Sequence, residues 1–487
     1  MVEQSLKSKT VKGLGWSALE NVTKIGVTFI VSIILARLLS PDEYGLIGIL
    51  TIFISVSNAV VDSGFTNALI RKKEATDVDY STVFYTNLVV SILMAAVLFF
   101  SAGWIADFFK RGELISLMQV MSCIVVINAL CIVQRARATK NIDFKTQAKV
   151  TFISSILSAV VGISMAYMGY GVWSLVGQQI SAQMTTTILF WILNRWIPRL
   201  TFSWDSFKEM WTFGWKMLVS TLIDTAWKEI YQVVVGKCYS PATLGLYTRA
   251  KQFSQLFSVN LNQIVQRVSY PVLSSIQDDK DRLREAYKKV IKTTMLPAFV
   301  LMYGMAAVAK PMVIVIIGEK WIGCVGFLQI ICIYGALYPL HAINLNMLQV
   351  QGRSDLFLKL EILKKIIAVG PILLGIFVDI YLMVAGSLIT SCISYFLNAY
   401  YSGPFLNYGI KEQIKDILPS LGVAVVMAIP VGAMQFLPIN AFVLLPLQII
   451  IGATIVLTIC EKKQMPEYLE IKGIVMPILN KVIKRKS

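Results

Sequence analysis

Long apolar runs recur along almost the whole sequence and constrain the fold more than any other feature. Each run covers roughly 17 to 25 residues, the length that an α-helix needs to cross the hydrocarbon core of a bilayer. Of the 487 residues, 56% are hydrophobic and only 15% are charged, so the chain carries more apolar surface than one water-soluble core can bury. The sequence therefore predicts an all-α, polytopic membrane protein.

The apolar runs define fourteen predicted transmembrane helices. The first run is too long for the apolar part of a signal peptide and shows no cleavage site, so we expect it to remain as the first span. The predicted spans cover residues 14–36, 44–66, 83–106, 114–134, 150–168, 172–193, 213–236, 245–270, 293–317, 323–348, 362–379, 381–403, 417–437 and 441–460.

The lysines and arginines alternate between the predicted loops. They crowd both termini and every second loop, whereas the intervening loops hold few of them. Because short cytoplasmic loops are enriched in Lys and Arg, this alternation predicts that both termini are cytoplasmic. The net charge of +17 is spread over these short segments, so we expect its neighbours to be anionic membrane lipids and not nucleic acid.

The two halves of the chain share a motif, which indicates an internal repeat. Residues Arg37–Leu46 and Lys237–Leu246 both place Ser-Pro after a basic residue and then Gly-Leu, and Gly15-Trp16 and Gly214-Trp215 precede them. Two parallel six-helix repeats of this kind predict two pseudo-symmetric lobes. The predicted domains are an N-terminal lobe over 1–200, a C-terminal lobe over 201–410, two extra helices over 411–460 and a basic amphipathic cytoplasmic tail over 461–487.

Charged residues within the spans concentrate in the first, second, seventh and eighth, which are equivalent pairs in the repeat. An ionisable side chain near the bilayer centre costs on the order of 2.5 to 3.5 kcal/mol on insertion scales. We therefore expect these four spans to border one water-accessible cavity. The residues are Glu20, Lys24, Asp62, Lys216, Asp224, Lys228, Glu229, Arg249, Lys251 and Arg267.

Basic residues outnumber acidic ones in this set, which favours a cavity that receives an anion. Arginine offers a fork of donors to a phosphate, and lysine offers a compact charge. The alternative is that Glu20 with Lys24, and Asp224 with Lys228, form closed ion pairs that hold helices together. The predicted substrate-binding residues are Lys24, Lys216, Lys228, Arg249 and Arg267, and the predicted ion-pairing or coupling residues are Glu20, Asp62, Asp224 and Glu229.

The remaining polar features indicate no catalytic chemistry. For His341, inside an apolar span, a hydrogen-bonded packing role is favoured over proton transfer. The seven cysteines show no CxxC spacing, so we expect neither disulfides nor a metal site. No phosphate-binding glycine loop or zinc motif is present, and we expect Asp77-Val78-Asp79 to lie in a short solvated loop. The sequence predicts a transporter without a cofactor, not an enzyme, and leaves open whether H⁺ or Na⁺ acts as a coupling ion.

Three segments, Gly13–Trp16, Ala36–Gly45 and Asp62–Phe65, resemble the bacterial polysaccharide transporters. The likeness is greatest to the colanic acid and teichuronic acid exporters, in the flippase superfamily that includes multidrug exporters and the lipid II flippase. The resemblance implies a flippase in the bacterial inner membrane that carries a polyprenyl-diphosphate-linked oligosaccharide from the cytoplasmic to the outer leaflet by alternating access. It also implies a cationic cavity formed by the first, second, seventh and eighth spans.

Two other functions compete with this interpretation. A multidrug or small-solute antiporter of the same fold would favour an acidic, aromatic cavity, and the surplus of basic residues argues against it. A membrane glycan polymerase or glycosyltransferase would need a large loop or soluble domain, which the sequence lacks. We expect a protein that functions as a monomer, with polysaccharide-assembly proteins as candidate partners.

Overall fold

The structure is a computed structural model. In the part of the chain that it describes, each predicted span coincides with a helix or with two consecutive helices. The first span is described from residue 25 onward. The described residues are 25–62, 64–72 and 74–484, without the side chains of Phe213, Ile264, Arg267, Val268, Ser354, Ile474, Val475 and residues 478–484.

The first eight helices account for the first seven predicted spans. A short helix, α3, follows the second span, and the seventh span lies within the long helix α8. The helices are α1 Ile25–Leu38, α2 Pro41–Asp62, α3 Phe65–Arg71, α4 Asp77–Phe109, α5 Leu114–Lys140, α6 Phe144–Tyr167, α7 Trp173–Asn194 and α8 Trp204–Cys238.

The remaining helices account for the other seven spans and the tail. The ninth and tenth spans each consist of two consecutive helices, α10 with α11 and α12 with α13. The helices are α9 Pro241–Ser275, α10 Lys280–Ala307, α11 Ala309–Ile317, α12 Cys324–Gly335, α13 Tyr338–Val350, α14 Ser354–Phe377, α15 Ile380–Ser402, α16 Ile410–Ala433, α17 Ala441–Lys462 and α18 Pro466–Lys484.

Nine helices or consecutive helix pairs in the described part of the chain are long and apolar enough to cross a membrane. Helices α7, α8, α9, α14 and α18 have the length but not the apolarity. The apolar helices expose large side chains, such as Phe100 and Trp104 on α4 and Ile450 on α17. Such a surface is suited to lipid and not to water. The chain is thus a multi-pass membrane protein, as predicted.

By internal packing, the chain divides into two compact units, residues 1–245 and 246–487. Helix α8 packs on α2, α3 and α4, so it belongs to the first unit although the repeat assigns it to the second lobe. The lobe boundary at residue 200 was inferred from the repeat and stays a prediction.

The two copies of the repeated motif contact each other inside the first unit. A Cβ atom added to Gly45 would overlap the carbonyl oxygen of Pro241, and one added to Gly245 would overlap that of Pro41. The contact is therefore reciprocal, because each glycine packs against the proline backbone of the other copy. Only glycine permits two backbones to approach so closely. This explains the Pro and Gly of the motif, which the sequence showed only as a repeat.

Both copies of the motif also begin a helix in the same way. The Ser40 side chain caps α2 and exchanges hydrogen bonds with Glu43, and the Ser240 Oγ accepts a 3.1 Å hydrogen bond from the Thr243 N–H before α9. The serine satisfies backbone N–H groups that have no partner within the helix. The proline that follows each serine is favoured at the first helical position.

A cluster at one end of the first unit fixes the start of α8. Phe65, Phe84, Trp196 and Met210 are buried together. Beside them, Lys72 Nζ lies 3.1 Å from an Asp79 carboxylate oxygen and 2.8 Å from one of Glu209. Asp79 is buried in the first turn of α4, where the sequence predicts a loop. The hydrogen bond to Glu209 raises the pKa of Lys72 above its ordinary value.

Buried polar side chains connect the helices of the second unit. His341 Nε2 lies 3.0 Å from Ser391 Oγ, and its Nδ1 lies 3.3 Å from Asn398 Nδ2. Nearby, the Tyr287 hydroxyl donates a 2.8 Å hydrogen bond to Asn344. Hydrogen bonds between membrane helices stabilise their association. The contacts of His341 support the predicted packing role.

The tail helix α18 docks on α10 through its first turns. Glu467 is only 3% exposed, accepts a 3.3 Å hydrogen bond from Ser420 Oγ and lies 3.9 Å from Lys292 Nζ. One turn later, Glu470 forms a 2.7 Å ion pair with Lys289. The start of the tail is therefore part of the second unit.

We predict that Gly45→Ala and Gly245→Ala each destabilise the protein, because a methyl group at either position would force two backbones apart. Overpacking typically costs about 1–3 kcal/mol, so the melting temperature of the purified protein in detergent should fall clearly. Gly103→Ala is the matched control, since a Cβ at this α4 position meets no atom within 4 Å. Equal melting temperatures for the three variants would contradict the role of the contact.

Candidate substrate-binding surfaces

The middle of α8 exposes charged side chains, although the helix is anchored at both ends. Near its start, Met210 lies in the buried cluster, and near its end Gly236 packs against Ile49 and Phe109. Between these anchors, the side chains of Lys216, Asp224 and Lys228 are exposed.

This exposure indicates contact with water. Each of these charges would cost on the order of 2.5 to 3.5 kcal/mol if it faced the hydrocarbon at the centre of the bilayer. Helix α8 also lacks the apolarity of a lipid-exposed span. The exposed part of α8 is therefore best explained as a water-accessible surface within the membrane.

The lysines on this surface are not locked in local ion pairs. Lys228 forms no ion pair with any residue that the structure describes, so the closed Asp224–Lys228 pair is not formed. Lys216 Nζ lies 6.0 Å from the ring centroid of Trp215. Glu229 is half-buried and accepts a hydrogen bond from Gln232. Lys216 and Lys228 thus keep their charges available for an anion.

A second polar surface of the first unit lies on α2, α5 and α7. Asn128 Nδ2 donates a 3.0 Å hydrogen bond to Asn58 Oδ1, and Gln183 Nε2 donates a 3.1 Å hydrogen bond to Asn128 Oδ1. All three side chains are half-buried. One turn beyond Asn58, Asp62 is also half-buried and accepts a hydrogen bond from Thr66. Together these side chains form a row of amides that ends at a carboxylate.

Sequence reasoning found Asp62 but missed Asn128 and Gln183. Both missed residues lie in spans without a mid-membrane charge, and charge was the feature that identified the other predicted site residues. The available signal was the polarity of α7, which carries Gln178, Gln179 and Gln183.

Arg249 occupies a different environment from the α8 lysines. It is only 3% exposed, its guanidinium lies 5.2 Å from the ring centroid of Trp321, and its Nη1 donates a 3.1 Å hydrogen bond to Gln252. These contacts place it inside the packing of the second unit. Its predicted role in substrate binding stays a prediction.

Three predicted site residues lie outside the description of the structure. Glu20 and Lys24 precede residue 25, and of Arg267 only the backbone is described, within α9. Among the described residues, no group of three or more His, Cys, Asp or Glu side chains could hold a metal ion.

Comparison with known proteins identifies the family. The family model described as "Polysaccharide biosynthesis protein" matches residues 34–326, which is more than half of the chain. The chain belongs to this family. The sequence-based resemblance to the bacterial polysaccharide transporters is thereby confirmed at the level of this family.

Proteins that are similar in sequence to this chain have names from polysaccharide biosynthesis. The teichuronic acid biosynthesis protein TuaB of Bacillus subtilis is 26% identical over 72% of this chain and 73% of its own. The succinoglycan biosynthesis transport protein ExoT of Rhizobium meliloti is 25% identical over 65% of this chain and 64% of its own.

The fold of the chain is that of a solved flippase. The lipid II flippase MurJ, in an inward closed conformation, superposes with a TM-score of 0.73 over 91% of this chain and 97% of its own, at 14% sequence identity. The predicted flippase-like fold of about fourteen transmembrane helices is confirmed.

We predict that water reaches the middle of α8. In a background without the seven native cysteines, Lys228→Cys should react with a charged, membrane-impermeant thiol reagent about tenfold faster than Ile450→Cys, because only a hydrated thiol ionises readily. Ile450 is a suitable control because it is 63% exposed on the apolar helix α17. Equal reaction rates would show that α8 faces lipid.

Proposed function

We propose that the protein is a flippase that moves a polyprenyl-diphosphate-linked oligosaccharide, the repeat unit of a cell-surface polysaccharide, from the cytoplasmic to the outer leaflet by alternating access. The observation that carries this proposal is the pair of exposed lysines in the middle of α8, Lys216 and Lys228. A diphosphate is the part of such a lipid that cannot cross the hydrocarbon unaided, and it requires positive charge along its path.

The family and the relatives support the substrate class. The family is described as a polysaccharide biosynthesis protein, and the relative ExoT is named as a transport protein of succinoglycan biosynthesis. The fold shared with MurJ provides a scaffold that is compatible with lipid transport. A polymerase or glycosyltransferase is disfavoured, because these relatives suggest transport and not glycosyl transfer.

The predicted residues divide into two roles under this proposal. The basic residues Lys24, Lys216, Lys228 and Arg267 contact the diphosphate and any acidic sugars. Arg249, which is 3% exposed and lies against Trp321, stays a predicted contact only. The acidic residues Glu20, Asp62, Asp224 and Glu229 either hold bases other than Lys216 and Lys228 in the empty state or bind a coupling cation. No cofactor is required, and either H⁺ or Na⁺ would serve as the coupling ion.

The proposed location is the bacterial inner membrane, with both termini in the cytoplasm. The alternation of basic residues between loops supports this orientation. The protein works as a monomer among membrane lipids, and polysaccharide-assembly proteins are its candidate partners.

We predict that Lys228→Ala, Lys24→Ala and Arg267→Ala each reduce glycan export at least about tenfold, since loss of a charge-assisted contact to phosphate removes about 1.5–3 kcal/mol of stabilisation. The measurement is cell-surface polysaccharide in a strain that depends on the plasmid-borne gene, together with the lipid-linked repeat units retained on the inner leaflet.

Lys415→Ala is the control, because Lys415 is an exposed lysine in the first turns of α16 and is not one of the predicted binding residues. All variants should reach the membrane in equal amounts. Normal export by the three test variants would contradict the proposed function, and single repeat units stranded on the outer leaflet would indicate a polymerase.

A further inference from the structure

Helix α9 exposes a row of glutamines in the second unit. The side chains of Gln252, Gln255, Gln263 and Gln266 are all exposed. The opposite side of the helix is packed, with Phe253 and Ser258 among its buried residues. We call the four exposed side chains the glutamine face.

The spacing places the four glutamines on one side of the helix. Gln252 and Gln255 are three residues apart, as are Gln263 and Gln266, and Val259 lies four residues from both Gln255 and Gln263. Steps of three and four residues keep side chains on the same helical face. No charged residue occupies these positions. Gln252 accepts a hydrogen bond from the Arg249 guanidinium, so the neutral, unoccupied amides of the face are Gln255, Gln263 and Gln266.

The glutamine face is suited to water and not to lipid. A lipid-exposed primary amide cannot satisfy its two donors and its acceptor in hydrocarbon. Gln255, Gln263 and Gln266 make no side-chain hydrogen bond with another residue in the described part of the chain. Their hydrogen-bonding groups are thus available to a solute inside the membrane span.

The chemistry of the face differs from that of the α8 lysines. A lysine binds phosphate through charge, whereas an amide offers a donor and an acceptor side by side. Neighbouring hydroxyl groups of a sugar present the same combination, since each can donate and accept. The three unoccupied amides on this face therefore match a neutral, hydroxyl-rich ligand better than they match a phosphate.

We propose that the glutamine face of α9 binds the sugar hydroxyls of the transported glycan and thereby selects lipids that carry a sugar. This inference rests on the proposed function and deepens it, because it assigns the glycan to a surface distinct from the lysines that bind the diphosphate. Gln255 and Gln263 lie near the middle of the face and form its centre.

The test compares two ligands on the purified full-length protein in lipid nanodiscs. One ligand is undecaprenyl diphosphate, and the other is the same lipid carrying the oligosaccharide isolated from the cells that make the protein. Wild-type protein should bind the sugar-bearing lipid about tenfold more tightly, which corresponds to one or two net hydrogen bonds. In the Gln255→Leu/Gln263→Leu variant the two affinities should become equal.

Binding of the bare lipid provides the internal control for folding, and it should stay within about twofold of wild type in the variant, because leucine is tolerated on a membrane helix. Gln435→Leu is the matched control, since this half-buried glutamine lies outside α9 and should leave the preference unchanged. A variant that keeps the full preference for the sugar-bearing lipid would overturn the inference. Wild-type protein that binds neither lipid would instead refute the proposed function, and the inference with it.

Discussion

The absence of water from the hydrocarbon core of the bilayer is the constraint on which this structure depends. Every backbone group must find its partner within the chain there, which is why the fold is built from helices. Because of the same constraint, each polar side chain inside a span needs either a partner in the protein or access to water. Those with partners, such as His341 and Asn344, hold helices together, and those that are exposed, such as Lys228 and Gln255, mark surfaces that water must reach.

Close packing of backbones in the first unit depends on two glycines of the repeated motif. Gly45 and Gly245 each pack against the proline backbone of the other copy, so the two copies of the repeated motif are in direct contact. Larger residues at these positions would separate the starts of α2 and α9. The serine caps and the following prolines begin both helices in the same way, which places the glycines at equivalent points.

The candidate binding surfaces are of two chemical kinds, one charged and the other polar but neutral. The α8 lysines suit an anion, whereas the amides of α9 suit hydroxyl groups. The amide row of Asn58, Asn128 and Gln183 is already joined by internal hydrogen bonds, which makes it a firmer part of the first unit. A substrate that carries both a diphosphate and sugars presents both kinds of group, so a protein that transports it benefits from both surfaces.

The sequence by itself determined the number of spans, their positions and the helices that carry charge, because the length of an apolar run and the cost of a buried charge are local properties. It also showed the repeat that contains Gly45 and Gly245. Only the tertiary structure decided which polar residues are accessible: Arg249 is buried beside Trp321, Lys228 is exposed, and Gln183 joins Asn58 through Asn128. Spacing defines the faces of one helix, but burial of a face depends on helices distant in the chain, and this packing cannot be inferred from a local pattern.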